Sequence, residues 1–244
     1  MILRALRAQG RSFSGDLTLL AVALLAVALS LSLAANVPHE LATASDEEKG
    51  IYAASFEVVI AIYAAIMSAI HGAFRYTVDR RNGVVARQAT LHPRWVIAAA
   101  RAPFTALGGS VIATLAVVGG HVALRVAIGG IAIDGRAVAA AVGVGAISAL
   151  WGFAIGLIME LHLLTLFVAP LTLGVAMIVA IFWPRVAVWL PLLTMVEAGG
   201  FDLMALGVSP ADALDPVIAS WALAGWMAMS SGVGAVCFLV RDIA

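Results

Sequence analysis

The sequence predicts an all-α membrane protein in which six transmembrane helices form one domain over residues 1–244. Hydrophobic residues make up 63% of the chain and charged residues only 11%, whereas soluble domains carry about 25% charged residues. Apolar runs of roughly 20 residues, long enough to cross a bilayer, recur along the chain. The only sizeable stretch that is dense in charge, residues 73–101, separates the second run from the third.

The amino terminus, residues 1–16, combines apolar residues such as Leu3 and Phe13 with three arginines. This pattern is typical of an amphipathic helix that lies on the inner membrane surface. The alternative is a basic tail that only sets the orientation. The first span, 17–35, follows directly, and a short acidic loop leads to the second span, 51–72.

One face of the second span carries small and partly polar residues at helical spacing. Such faces let helices approach closely in lipid, so we expect this face to look into the bundle while Val58 and Ile62 fall elsewhere. Charge inside a span is costly, which makes Glu57, with Ala61 and Ser68, a candidate for the substrate path or a subunit interface. The alternative for Glu57 is a neutral or hydrogen-bonded carboxyl near the outer headgroups. The whole face comprises Ala54, Glu57, Ala61, Ala65 and Ser68.

Residues 137–183 must fold back once. As one helix these 47 residues would run about 70 Å, more than twice the roughly 30 Å hydrocarbon core. The segment is apolar except for Glu160 and His162, so we place the turn there. We interpret these two residues as marking a turn on the inner side rather than a substrate site. The predicted spans are 17–35, 51–72, 102–124, 137–159, 161–183 and 217–240.

The segment 184–216 fits no unbroken span because prolines and glycines interrupt it throughout. We predict short, broken extracellular helices that dip into the outer interface before the sixth span. The interrupting residues are Pro184, Pro191, Gly199, Gly200, Gly207, Pro210 and Pro216.

The orientation follows from the basic residues. Six spans place both termini on one side, with ten arginines on that side and four basic residues on the other. The positive-inside rule then makes both termini cytoplasmic, and we predict a multi-pass protein of the cell membrane, such as a bacterial inner membrane. The ten are Arg4, Arg7, Arg11, Arg75, Arg80, Arg81, Arg87, Arg94, Arg101 and Arg241, and the four are Lys49, Arg125, Arg136 and Arg185.

The sequence lacks the residue patterns for nucleic-acid binding, phosphate binding and metal binding. The formal net charge is zero, so no global charge attracts nucleic acid. Lys49 is the only lysine and has no glycine-rich loop before it, so the chain lacks a phosphate-binding loop. The five histidines show no metal-ligand spacing, and Cys237 is the only cysteine. We therefore expect no catalytic residues, no metal site and no enzyme activity in this chain.

The charged segment, residues 73–101, carries two motifs. The first, Asp79-Arg80-Arg81-Asn82-Gly83, runs from an acidic residue through basic residues to a glycine. The second, Leu91-His92-Pro93-Arg94-Trp95, closes the segment with a proline. With the six-span pattern, these motifs resemble the permease subunits of type-2 ABC exporters over nearly the whole chain. The resemblance implies a cytoplasmic coupling helix between spans two and three, with coupling residues Asp79, Arg80, Arg81, Asn82, Gly83, Arg87, His92 and Pro93.

The same resemblance implies a function. The chain would form the pathway for a hydrophobic or amphiphilic substrate such as a drug, peptide or lipid-like molecule. Two separate ATPase subunits would bind the coupling helix and carry the ATP and Mg, and a second permease subunit, identical or related, would complete the pathway. The alternatives are a membrane anchor or sensor that binds a regulatory partner, and a secondary transporter. The latter is disfavoured because no internal repeat is evident.

Overall fold

A computed structural model describes residues 1–129, 134–159 and 161–241, except the side chains of 34, 39 and 205. The described residues form α-helices and two short 3₁₀ helices, His39–Ala42 and Leu203–Leu206, with no strand among them. The α-helices are α1 (Ile2–Ser14), α2 (Leu17–Ala34), α3 (Asp46–Arg81), α4 (Val84–Ala89), α5 (Arg94–Ile128), α6 (Gly135–Ile158), α7 (His162–Phe182), α8 (Pro184–Ala187), α9 (Pro191–Ala198) and α10 (Pro216–Val240).

Within the described chain, five helices are individually long and apolar enough to cross a membrane: α3, α5, α6, α7 and α10. A sixth results if α1 and α2, which meet at an angle of 50°, are counted as one bent span. The fold class is therefore confirmed at this level: an all-helical chain with five or six candidate membrane spans.

Local sequence explains where the helices begin. Asp16 caps α2, and its Oδ1 accepts hydrogen bonds from the backbone amides of Thr18 and Leu19. Ser45 and Glu48 form a reciprocal capping box at the start of α3. Proline occupies the first position of α10, where its missing N–H costs no helical hydrogen bond.

Helix α3 lies at the centre of the bundle. It packs on α2, α5, α6 and α7, and glycines allow the closest of these contacts. A Cβ at Gly72 would lie 1.9 Å from the carbonyl oxygen of Ala149, and a Cβ at Gly152 would lie 1.9 Å from that of Ala69. The α3 and α6 backbones therefore touch directly, as small residues permit in lipid.

The predicted inward face of α3 is only part of what the structure buries. Ala61, Ala65 and Ser68 are fully buried, as expected, whereas Ala54 is exposed. Val58 and Ile62 are buried as well, although we expected them on another face. The reason is that the central helix has neighbours on several sides, so it buries more than one face.

The charged segment is more helical than expected. We placed the second span at 51–72 and the third at 102–124, but α3 continues to Arg81 and α5 begins at Arg94. Each helix is about 53 Å long, well beyond the roughly 30 Å core. In these extensions Arg75, Asp79 and Arg101 form ion pairs with residues of other segments or helices, so the helices need not stop where the apolar run stops.

The region between spans five and six does contain short helices, α8, α9 and one 3₁₀ helix. Helix α9 is almost entirely buried against its neighbours, and its depth in the outer interface stays a prediction. Glu160, expected at the turn between spans four and five, lies outside the described residues.

Contacts show which segments share an end of the bundle with α4. Arg94 donates from Nη1 to the carbonyl of Leu239, 2.9 Å away, near the end of α10. Arg241 donates to the carbonyl of Ile158 at the end of α6. The hydroxyl of Thr77 on α3 lies 2.8 Å from Nδ1 of His162, the first residue of α7. The end of α6, the beginning of α7 and the carboxyl end of α10 therefore lie at the α4 end.

Candidate functional site

A polar stripe runs down one face of α3 towards α4. His71, Arg75 and Asp79 follow one another at four-residue intervals, which places them on one face of a helix. The facing helix, α5, runs antiparallel and presents Arg101 and Thr105 to this stripe, since both line a small gap together with Arg75. Towards α4 the two long helices thus meet along ionisable side chains, whereas further along they pack through apolar residues such as Ile60 and Ile112.

Arg101 joins three helices at the end of this stripe. Its Nη1 donates to Oδ2 of Asp79 on α3 at 2.7 Å, and its Nη2 donates to Oε1 of Gln88 on α4 at 3.0 Å. The Arg101 side chain is 3% exposed and that of Asp79 is 25% exposed. Charge-assisted bonds of this kind are among the stronger hydrogen bonds, so α4 is held against both long helices.

Arg75 connects the stripe to the amino-terminal helices. Its Nε lies 3.1 Å from Oδ2 of Asp16, and its Nη2 lies 3.4 Å from Oε1 of Gln9. The guanidinium also lies over the ring of Phe13, 5.5 Å from the ring centre. The bend between α1 and α2 is therefore tied to the same face of α3 that holds α4.

The stripe ends in a tight contact at its other end. His71 is fully buried, and its Nε2 lies so near α5 that a Cβ at Gly108 would approach it to 2.3 Å. Ser68 donates a hydrogen bond to the carbonyl of Gly109 at 3.2 Å. Glycine at position 108 makes room for the imidazole of His71, whereas a Cβ at Gly109 would lie 2.2 Å from the carbonyl oxygen of Gly145 on α6. The two glycines therefore keep α5 close to both α3 and α6.

Helix α4 presents part of the predicted coupling set to solvent. Gly83 has a φ of 68°, a left-handed conformation that suits glycine, and it turns the chain from α3 into α4. Val85, a residue of α4 itself, is fully buried. The exposed members of the predicted set are Arg81, Asn82, Arg87 and Pro93, and the half-buried members are Asp79, Arg80, Gly83 and His92.

Asp79 is held within the chain, because its carboxylate pairs with Arg101 at 2.7 Å. Its role as a coupling residue stays a prediction. The exposed arginines near it are Arg81 and Arg87. Sequence reasoning missed the roles of Arg101, Arg75 and Asp16, although the four-residue spacing of His71, Arg75 and Asp79 was a usable signal.

The three residues expected along a substrate path all lie on α3, at contacts with its neighbours. Ala61 is buried at a helix contact, Ser68 binds α5, and Glu57 lies near the opposite end of the bundle beside His121. In the part of the chain that the structure describes, no group of three or more His, Cys, Asp or Glu residues is arranged to hold a metal ion.

Comparison with known proteins adds no relative. No family model matches the chain, and no curated protein matches it significantly. The resemblance to exporter permeases therefore rests on the motifs of the charged segment and on the pattern of spans.

Proposed function

We propose that this chain is the membrane-spanning permease subunit of an ATP-binding cassette exporter. In this proposal α4 is the coupling helix, two copies of a separate ATPase dock beneath it, and ATP and Mg bind to the ATPase. A second permease subunit, identical or related, completes the pathway for a hydrophobic or amphiphilic substrate. The resemblance of the charged segment to type-2 exporters supplies the class of partner.

The observation that carries the proposal is the attachment of α4. A six-residue helix lies between two helices of 36 and 35 residues. Arg101 of α5 donates to α4 through Gln88 and to α3 through Asp79, so one side chain links all three helices. A partner that binds α4 therefore acts on the ends of two long, continuous helices, α3 and α5. A flexible loop could set the orientation equally well, but it could not transmit a displacement.

The position of α3 gives that displacement a route into the bundle. Since α3 contacts four of the other long helices, a shift at its α4 end changes their packing. The glycine contacts between α3 and α6 leave no side chain to absorb a small movement. Transport would then follow from rearrangement of α3 relative to its neighbours.

The α4 end is assigned to the cytoplasm in this proposal. The ten arginines assigned to the termini's side belong to segments at that end, against four basic residues assigned to the other end. This asymmetry supports a location of α4 on the cytoplasmic side of a bacterial cell membrane. An ATPase that uses cytoplasmic ATP could then reach α4.

The experiment is copurification of the intact chain with its ATPase in mild detergent. The test variant is Arg81→Glu with Arg87→Glu, because both side chains are exposed near α4. The matched control is Arg125→Glu with Arg136→Glu, two exposed arginines at the other end. We expect the test variant to lose at least tenfold in ATPase binding, since each reversal replaces attraction by repulsion, and the control to bind normally.

The outcomes separate the competing functions. Equal ATPase binding by the two variants would show that α4 does not dock the ATPase. If a protein without ATPase activity binds through Arg81 and Arg87, the chain is an anchor or sensor subunit. Transport by the purified chain in vesicles with an ion gradient and no ATPase would make it a secondary transporter.

A further inference from the structure

A glutamate and a histidine face each other near the end of the bundle opposite α4. Oε1 of Glu57 on α3 lies 3.9 Å from Nε2 of His121 on α5. The two side chains are 18% and 11% exposed, so water screens them only in part. A separation of 3.9 Å is too long for a hydrogen bond, although the two groups are close enough to interact strongly.

The backbone decides which nitrogen of His121 carries a proton. Nδ1 lies 2.9 Å from the carbonyl oxygen of Val117. A carbonyl oxygen only accepts hydrogen bonds, so Nδ1 must be the protonated nitrogen that donates. In the neutral imidazole, Nε2 then has a lone pair and no proton, and it faces the carboxylate of Glu57. Two acceptors oppose each other, an arrangement that a proton between them would convert into a bond.

The space beside the pair limits what can bind there. The cavity next to Glu57 and His121 has a volume of about 10 Å³. A cavity of this size holds about one water molecule at most, so it excludes an organic ligand. The remaining lining residues are apolar: Ile60, Val117, Ala137, Val138, Ala141 and Phe201.

The other ionisable groups around the pair are few and mostly exposed. Asp134, which precedes α6, interacts electrostatically with Glu57 and adds to the negative charge there. Tyr52 lies on α3 more than one turn before the glutamate. Exposed charges on the adjoining turns and segments are those of Glu40, Arg125, Arg136 and Asp202.

We propose that Glu57 and His121 form a binding site for a single proton. A proton from the aqueous phase adds to Nε2, and the attraction between the resulting imidazolium and the carboxylate draws the two side chains from 3.9 Å to hydrogen-bond distance, where Nε2 donates to Oε1 of Glu57. The neutral histidine and the carboxylate thereby become an ion pair that ties α3 to α5. The site goes beyond the proposed function, since it requires neither an ATPase nor a particular substrate.

The test is thermal unfolding of the full chain in detergent between pH 5 and pH 8. The bond exists only while the imidazole is protonated, so its stabilisation is greatest at low pH and is lost as the pH rises. We compare the wild type with Glu57→Gln and with His121→Asn, whose amide nitrogen replaces Nδ1 as donor to Val117. We expect the wild type to gain on the order of 3–8 °C in Tm at pH 5 from this bond, and both variants to lack that gain.

Two measurements guard the interpretation. His92→Asn removes a histidine at the α4 end and should keep the pH dependence of the wild type. Nitrogen NMR of histidine-labelled chain should show Nδ1 of His121 protonated at pH 8 and both nitrogens protonated at pH 5. The proposal is overturned if Glu57→Gln and His121→Asn keep the wild-type pH dependence, or if Nε2 carries the proton at pH 8.

Discussion

Replacing Arg101 by glutamine should loosen α4 from the bundle. The change removes the 2.7 Å bond to Asp79 and the 3.0 Å bond to Gln88. Breaking a buried ion pair by deleting one partner costs about 3–5 kcal/mol, but Asp79 is 25% exposed, so water recovers part of the loss. We expect Arg101→Gln to cost about 2–4 kcal/mol, which for a chain of this size lowers Tm by about 4–16 °C.

The assay combines thermal unfolding with hydrogen exchange. Arg101→Gln should speed amide exchange in α4, residues 84–89, while exchange in α10 stays near the wild-type rate. Arg125→Gln is the matched control, since it removes an exposed arginine from the same helix. A double-mutant cycle with Asp79→Asn should give a coupling above about 0.5 kcal/mol. Additive effects, or unchanged exchange in α4, would refute the role of Arg101.

Three further changes test the packing, the buried carboxyl and the α1–α2 bend. Gly152→Val should abolish recovery of folded, monodisperse protein, because its Cβ would lie 1.9 Å from a carbonyl oxygen of α3, whereas Gly225→Val, with nothing within 4 Å, should not. Burial raises the pKa of Glu197 in the folded protein. The free energy of unfolding therefore falls as the pH rises from the pKa of the unfolded chain through the pKa of the folded protein. Glu197→Gln should flatten this loss of stability between about pH 4 and pH 8. Asp16→Asn and Asp16→Ala both weaken the pair with Arg75, but only Asp16→Asn keeps an N-cap for α2. Asp16→Ala should therefore cost about 1 kcal/mol more than Asp16→Asn in thermal unfolding.

The sequence predicted much of the fold because the membrane leaves few solutions. Apolar runs of helical length must become helices, since lipid offers no partner for the backbone. The breaks near prolines and glycines in 184–216 followed from the same local chemistry. Helix ends near charge were less predictable: the second span was expected to end at residue 72, yet α3 continues nine residues further.

The candidate site was predicted in part. The motif around Gly83 located the turn into α4, because a glycine among polar residues favours a left-handed turn. The partner of Asp79 was not predictable, since Arg101 lies 22 residues away and the pair forms only when α3 and α5 pack antiparallel.

The sequence by itself determined the class of this protein, its apolar spans and the asymmetry of its basic residues, all of which depend on composition and local order. Only the tertiary structure decided which charges turn inward. In the sequence, Arg75 and Arg101 look like surface charges, yet both are buried. They can be buried because the carboxylates that neutralise them, Asp16 and Asp79, come from other segments of the chain. Pairing between distant residues depends on helix packing, and a single sequence does not contain that geometry in any local pattern.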